Sequence, residues 1–198
     1  GGRYYMRAKE IRGKIYVLPC NAQDMLIIEN KKIRKIEFRK FAVQGTAFYS
    51  CWYDDDFRYL FLIPNRYPML IRYHLITEKI DYIDGIQPFF VRLVEKEWQI
   101  GGFGFYGNEL MFASPEDDQI LFMDIETLEK RSGNVNSKNK LGIQNIVRYG
   151  KDDELWLMPM KGMTITRWNP KTGDVREYSN VPKQFKVMRW PFEYECDE

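Results

Sequence analysis

The chain has 198 residues, of which 30 are Lys or Arg and 28 are Asp or Glu, so its formal net charge is only +2. This balance argues against a nucleic-acid partner, which a strongly basic surface would attract. No run of 18 apolar residues occurs, so we expect no transmembrane helix and no membrane partner. The length predicts a single domain, and the aromatic share of 16% is typical of sheets with bulky side chains in their layers.

Four hydrophobic runs that end in proline divide the chain into repeats. Successive prolines lie 45, 51 and 44 residues apart, and this nearly equal spacing indicates a repeat architecture. Proline is tolerated where a strand ends, so we expect the four prolines to mark the same strand end in each repeat. The runs are Lys14–Pro19, Tyr59–Pro64, Leu110–Pro115 and Leu155–Pro159.

Three more strands are predicted around each proline run, because short segments rich in β-branched and aromatic residues alternate with polar turns. The clearest turn is Asn169–Asp174, where Pro170 fixes φ and Gly173 supplies a positive φ. In the third copy the last strand, at Lys130–Gly133, is degenerate. The first strand of each repeat, before the proline run, is predicted at Tyr4–Ala8, Thr46–Tyr53, Gly102–Tyr106 and Ile143–Tyr149. The third strand, after the proline, is predicted at Met25–Ile28, Leu70–Tyr73, Ile120–Met123 and Thr164–Trp168. The fourth strand is predicted at Ile33–Phe38, Ile80–Ile83 and Val175–Tyr178.

Four units of four antiparallel strands predict an all-β chain folded as a β-propeller. The units span about 3–38, 44–84, 99–131 and 143–179, followed by a tail at 180–198. The alternative is a β-sandwich or barrel, which gives no reason for proline, turn and strand to recur in one phase. Close strand approach explains the glycines in or beside the first strands, at Gly45, Gly101, Gly102 and Gly104.

The four units form either a closed four-bladed ring or part of a larger propeller. Unpaired sheet edges are normally closed or covered. The apolar tail residues, among them Trp190 and Phe192, are therefore predicted to pack against the first unit of the same chain or of a second copy in a homodimer.

The last repeat carries a resemblance to a known family. It reads Asp153-Glu-Leu-Trp-Leu-Met-Pro159 and then Ile165-Thr-Arg-Trp-Asn-Pro-Lys-Thr-Gly-Asp-Val-Arg-Glu-Tyr178. This resembles the repeat of streptogramin-lyase-like propellers, in which a strand ends in an Asp-Pro-x-Thr-Gly turn. Tyr73–Ile80 and Met123–Lys130 match more loosely, and the similarity covers roughly residues 14–182. The resemblance implies the propeller fold, but the lyases use several histidines and this chain has one, so it does not extend to lyase chemistry.

Groups that could carry chemistry all have simpler structural interpretations. His74 has no second imidazole and is expected to be structural. The acidic clusters Asp54–Asp56, Glu116–Asp118 and Asp152–Glu154 are interpreted as turns, so no metal or other cofactor is predicted. Ser50 and Cys51 belong to no nucleophile motif.

Three other segments also have simpler interpretations. Gly101–Gly104 lacks the lysine and helix of a phosphate loop. The basic run Lys31–Lys35 is interpreted as protection of an edge strand. The segment Pro88–Trp98 fits either a helix or a strand.

The predicted function is a non-catalytic binding module whose partner is a protein or a polar ligand such as a carbohydrate. The alternative is a lyase-like or glycoside-hydrolase-like enzyme with paired carboxylates or a metal. With three cysteines in no metal or disulfide pattern, a reducing cytoplasmic compartment is the default expectation. Propellers bind where the loop between the second and third strands meets the connection between blades. This predicts a ligand site at Asn65, Arg66, Tyr67, Gln87, Phe89, Asp117, Gln119, Gln144 and Lys161, within a wider set that adds Asn21, Gln23, Gln44 and Asn145.

Overall fold

The computed structural model describes residues 4–54, 56–94, 97–138, 142–148, 153–160 and 164–179. Its internal contacts divide the chain into two compact units, unit 1 over residues 1–88 and unit 2 over residues 89–198, and each unit is described by itself. Among the described residues, no helix is long and apolar enough to cross a membrane.

Unit 1 contains two four-stranded antiparallel sheets in which the strands pair in chain order. Their inward side chains form one apolar cluster that joins both sheets and includes Tyr16, Phe48 and Tyr73. Sheet 1 consists of β1 (Tyr5–Ile11), β2 (Lys14–Pro19), β3 (Asp24–Glu29) and β4 (Lys32–Glu37), and sheet 2 of β5 (Phe48–Tyr53), β6 (Tyr59–Pro64), β7 (Leu70–His74) and β8 (Ile80–Ile83).

Along the chain, β8 is followed by a one-turn helix, α1 (Gln87–Phe90), and then by a hairpin of β9 (Val91–Val94) and β10 (Glu97–Ile100). The segment Pro88–Trp98 is therefore helix in its first residues and strand in the rest. Unit 2 then forms two more four-stranded antiparallel sheets, again in chain order. Sheet 3 consists of β11 (Phe103–Tyr106), β12 (Glu109–Ala113), β13 (Gln119–Asp124) and β14 (Lys130–Asn134), and sheet 4 of β15 (Ile143–Arg148), β16 (Leu155–Pro159), β17 (Ile165–Trp168) and β18 (Val175–Tyr178).

The predicted all-β class and its four four-stranded antiparallel units are confirmed. The third copy is also complete, because the segment interpreted as degenerate is β14, which pairs with β13 over five residues. Its side chains are mostly exposed and polar, so an apolar pattern was absent while main-chain pairing still formed.

Three of the four prolines occupy equivalent positions, and the fourth is displaced by one residue. Pro19, Pro64 and Pro159 end the second strand of their sheets and pair with the first residue of the first strand, next to the same register shift. In sheet 3 the corresponding position is Ser114, whose amide donates to the carbonyl of Gln119 across a four-residue loop. Pro115 is therefore the first residue of that loop, and the Ser114 hydroxyl accepts an amide hydrogen bond from Glu116.

The turns between the third and fourth strands reuse one hydrogen-bond arrangement in three sheets. Asp124 Oδ1 accepts the amides of the second and third residues after it at 2.8 Å each, and Asn169 Oδ1 does so at 2.9 and 3.1 Å. His74 Nδ1 accepts the equivalent amides, from Ile76 at 3.2 Å and Thr77 at 3.1 Å. The fourth residue after each has a positive φ, so these are the same turn, and His74 has the role of an Asp or Asn.

Close strand approach explains two of the predicted glycines. A Cβ on Gly101 would lie 1.7 Å from the carbonyl oxygen of Ala113, and one on Gly102 would lie 2.9 Å from Ile146 of the next sheet. Gly104 is less constrained, since its Cβ would meet the flexible Met111 Cε at 3.6 Å.

The equivalence of the three turns predicts how position 74 tolerates substitution. His74→Asn keeps an acceptor for both turn amides and should leave the free energy of unfolding nearly unchanged, whereas His74→Ala should lower it by about 1 kcal/mol. Urea denaturation followed by circular dichroism measures both values. Equal stability of the two variants would show that the imidazole does not hold the turn.

The steric environment of the glycines predicts a second contrast. Gly101→Ala forces the β10–β11 connection away from β12 and should cost about 3 kcal/mol, while Gly104→Ala should change the stability by less than about 1 kcal/mol. Thermal denaturation of the two variants tests this. If Gly101→Ala melts at the wild-type temperature, the close approach to Ala113 is not a property of the protein in solution.

Candidate functional site: a polar cavity in unit 2

The residues predicted to bind a ligand in unit 1 mainly hold their own loop in place. Tyr67 is completely buried, and its hydroxyl donates to the carbonyl of Arg39 at 2.8 Å. Arg66 donates from its guanidinium to the carbonyl of Gln44. Gln87 donates to the carbonyl of Asn65 at 3.0 Å, which brings two of the predicted residues together.

Two buried amide oxygens in this part of unit 1 have no partner. Asn21 Oδ1 and Asn65 Oδ1 accept no hydrogen bond from any residue that the structure describes. They lie in the loops between the second and third strands of sheets 1 and 2.

The predicted residues of unit 2 occupy separate loop, strand and helix positions. Asp117 accepts the amide of Gln119 at 3.0 Å, and the side chain of Gln119 is exposed. Gln144 lies at the register shift of β15, and Phe89 is half-buried in α1. Lys161 lies outside the described residues.

The junction between sheets 1 and 2 shows how the space between consecutive sheets is normally filled. Phe48 and Tyr67 have ring centroids 4.7 Å apart, and Phe41 packs edge-on against Tyr67 at 5.1 Å. Ile71 is fully buried in the same cluster, and the ring of Tyr82 packs against that cluster. Aromatic and aliphatic side chains therefore pack against one another in this junction.

The equivalent junction between sheets 3 and 4 contains a cavity instead. The cross-strand series Leu62, Ile71 and Tyr82 of sheet 2 corresponds in register to Leu157, Thr166 and Glu177 of sheet 4. The cavity is about 20 Å³, enough for about one water molecule. Its polar wall consists of Asp118, Ser137, Thr164, Thr166 and Glu177, and its apolar wall includes Val135, Ile143, Leu157, Met158 and Pro159.

Both carboxylates of the cavity accept main-chain amides of the β14–β15 connection. Ser137 N donates to Asp118 Oδ2 and Lys138 N donates to Glu177 Oε1, each at 2.8 Å. Because the two donors are consecutive residues, both carboxylates lie next to the same short segment of the connection. Asp118 is only 4% exposed.

Thr166 is the most unusual residue of the cavity wall. It is 8% exposed, and its hydroxyl makes no hydrogen bond with the described residues. The corresponding positions in the other three sheets carry Leu26, Ile71 and Leu121. A hydroxyl in place of an aliphatic group at a buried position costs stability unless something binds it.

The sequence analysis missed Asp118, Ser137, Thr164, Thr166 and Glu177 as site residues. A signal was present, because alignment of the repeats on their prolines places Thr166 against Ile71 and Glu177 against Tyr82. The same alignment pairs Gly162 with Tyr67, since each lies three residues after its proline. Residue 162 lies outside the described part of the chain.

Groups that could act as nucleophile or base elsewhere are engaged in the structure. His74 holds a turn, as described above. Burial raises the pKa of the Cys51 thiol to about 11, so it stays protonated and unreactive at neutral pH. Asp54 is 4% exposed and accepts the amides of Arg58 and Tyr59 as well as the Arg58 guanidinium. No group of three or more His, Cys, Asp or Glu suited to a metal occurs among the described residues.

Comparison with known proteins identifies the fold class. The chain resembles virginiamycin B lyase from Staphylococcus aureus with quinupristin, with a TM-score of 0.59 and 16% identity over 89% of this chain and 55% of the lyase. A streptogramin B lyase gives a TM-score of 0.60 and 15% identity, over 88% of this chain and 54% of the lyase. Dihydro-heme d1 dehydrogenase NirN gives 0.56 and 11%, covering 87% and 36%. The predicted fold-level resemblance to propeller proteins is thus confirmed.

The chain spans about half the length of the two lyases that it resembles. No family model matches the sequence, and no curated protein matches it. The likeness therefore concerns the fold alone.

The comparison of the two junctions predicts opposite effects of one exchange. Thr166→Ile fills part of the cavity and removes a buried hydroxyl, so it should raise the free energy of unfolding by about 1 kcal/mol. The reverse change at the matched position, Ile71→Thr, should lower it by about 2 kcal/mol. Urea denaturation of both variants measures the difference. A loss of stability in Thr166→Ile would mean that the threonine serves the fold.

Proposed function

We propose that the chain is a non-catalytic binding module of the propeller type, and that the polar cavity of unit 2 holds a polar group of a protein or carbohydrate ligand. The four sheets are its blades, in a closed four-bladed ring or as part of a larger propeller. The supporting observation is the exchange of a packed aromatic junction for a small cavity walled by carboxylates and hydroxyls. Acceptors of this kind at a pocket orient the donor groups of a ligand.

The arrangement of the carboxylates favours binding over catalysis. Asp118 and Glu177 each accept a main-chain amide, so one oxygen of each carboxyl group is engaged as an acceptor. A glycosidase or lyase instead needs one carboxyl group that donates a proton. The lyase solved with quinupristin has a variant, described as catalytically inactive, in which a histidine is replaced by alanine. The single histidine of this chain holds a turn.

The predicted ligand face, around Asn65, Arg66, Gln87 and Asp117, remains part of this proposal as a second contact area. Lys161 and the tail at 180–198 lie outside the described residues. Packing of the tail against the first unit, or against a second copy in a homodimer, likewise remains a proposal.

Two measurements test the proposed function together. First, nuclear magnetic resonance titration of ¹⁵N-labelled protein with neutral monosaccharides and with lysine-containing tripeptides should shift the amides of Ser137, Lys138 and Thr166 for at least one probe class. The amide of Ile71, at the filled junction, is the internal control. Second, quinupristin and nitrophenyl glycosides should remain intact after incubation with the protein.

Turnover of either substrate that is lost in Glu177→Gln would replace the binding module by the enzyme alternative. If neither probe class shifts the cavity amides, the cavity is not a binding site and the proposed function fails at this location.

A further inference from the structure

We propose that the polar cavity of unit 2 binds a primary alkylammonium group, such as the end of a lysine side chain, with its nitrogen between the carboxylates of Asp118 and Glu177. This inference rests on the proposed binding function and names the chemistry of the ligand at that site.

The first argument is that no residue in the described part of the chain provides a counter-charge. Most acidic side chains of the described structure form ion pairs with Lys or Arg, with Glu78–Arg34, Asp81–Arg72 and Glu109–Arg131 as examples. Asp118 and Glu177 form no ion pair with any described residue, although Asp118 is almost completely buried. A buried carboxylate normally has a cation beside it, because burial without one is costly.

The second argument is that the fold itself does not require these charges. In unit 1 the connection between β4 and β5 is held by neutral groups at the same two positions. Phe41 N donates to Gln23 Oε1 at 2.7 Å, and Arg39 N donates to Tyr82 Oη at 3.0 Å. Gln23 and Tyr82 thus accept main-chain amides of their connection, as Asp118 and Glu177 do, although the individual amides differ between the two units. The negative charges of unit 2 are additional to the structural role, and a ligand cation explains them.

The third argument is the hydroxyl of Thr166, which has no hydrogen-bond partner among the described residues. An ammonium group has three N–H donors, and the cavity wall carries three side chains with acceptor oxygens, those of Asp118, Glu177 and Thr166. Hydrogen bonds between such a cation and carboxylates are short and strong.

The shape and lining of the cavity favour an ammonium group over a metal ion. A space for about one water molecule also accepts an ammonium head. Leu157, Met158 and Pro159 on the apolar wall suit the methylene stem that follows it. Calcium takes six to eight oxygen ligands, and the described residues provide no group of three acidic or imidazole ligands here.

The experiment titrates ¹⁵N-labelled protein at pH 7 with n-butylammonium chloride, and in parallel with n-butanol, which has the same chain and no charge. Nα-acetyl-lysine-N-methylamide tests whether a lysine side chain binds as the simple amine does. Its Nε-acetylated form has the same side chain without the charge. The expected result is saturable shifts of the Ser137, Lys138 and Thr166 amides with both amines, at least tenfold weaker affinity for butanol and the acetylated form, and no shift of Ile71. Equal shifts with butanol, or no saturable shift with the amines, would overturn the proposal.

Matched variants complete the test. Asp118→Asn and Glu177→Gln keep an acceptor for the connection amides, as neutral groups do in unit 1, so they should fold normally and lose amine binding at least tenfold. Thr166→Ile should close the cavity, and Glu109→Gln, which removes a carboxylate elsewhere in unit 2, should bind like the wild type. Unchanged amine binding in Asp118→Asn and Glu177→Gln, or calcium chloride shifting the cavity amides more strongly than the amines, contradicts the inference. Binding of a neutral sugar at the same amides would overturn the ammonium assignment while leaving the binding module intact.

Discussion

The main-chain hydrogen bonds that join consecutive sheets determine the geometry on which each unit depends. In unit 1 the carbonyl of Cys20 accepts the amides of Ala47 and Phe48, both at 2.9 Å, and in unit 2 the carbonyl of Ser114 accepts the amide of Ile143 at 2.9 Å. These bonds connect the loop after the second strand of one sheet to the start of the next sheet. They involve no side chain, so they do not depend on the residues that fill the junction, although the acceptor carbonyl of unit 2 lies one position earlier than that of unit 1.

Because these bonds are independent of the side chains, the filling of the junction can change without loss of the fold. Unit 1 fills the junction with Phe41, Phe48 and Tyr67, and this packing contributes apolar burial. Unit 2 gives up that burial for a cavity with Asp118, Thr166 and Glu177 on its wall. A buried polar group that the fold does not need is typical of a functional position, where local stability is reduced for the sake of binding.

The sequence predicts the strands well because their signals are local. Period-two apolar patterns, turn residues and the proline spacing identified four sheets, and the turn at Asn169 was recognised from its own residues. The errors have equally local causes. The proline spacing predicts that Pro115 ends its strand, whereas the length of the following loop makes Ser114 the equivalent residue. The strand β14 was called degenerate because its exposed side chains carry no apolar pattern, although its main chain pairs normally.

The polar residues of the cavity were not predicted as a site, because they come from four separate segments of the chain. Asp117 was named from the loop, but the neighbouring Asp118 is the residue that lines the cavity. Tyr67 was named as a ligand contact for its aromatic ring, while in the structure that ring fills the junction of unit 1. The side chain of Tyr67 is completely buried there.

A repeated fold therefore offers a direct way to separate structural from functional residues, since each sheet serves as the reference for the others. Where His74, Asp124 and Asn169 accept the same turn amides, different side chains do one job, and the position is structural. Where Tyr82 and Glu177 each accept an amide of the following connection but only one is charged, the hydrogen bond is structural and the charge is not. The charge is the part of Glu177 that the fold leaves unexplained, and it is the part that a ligand cation would use.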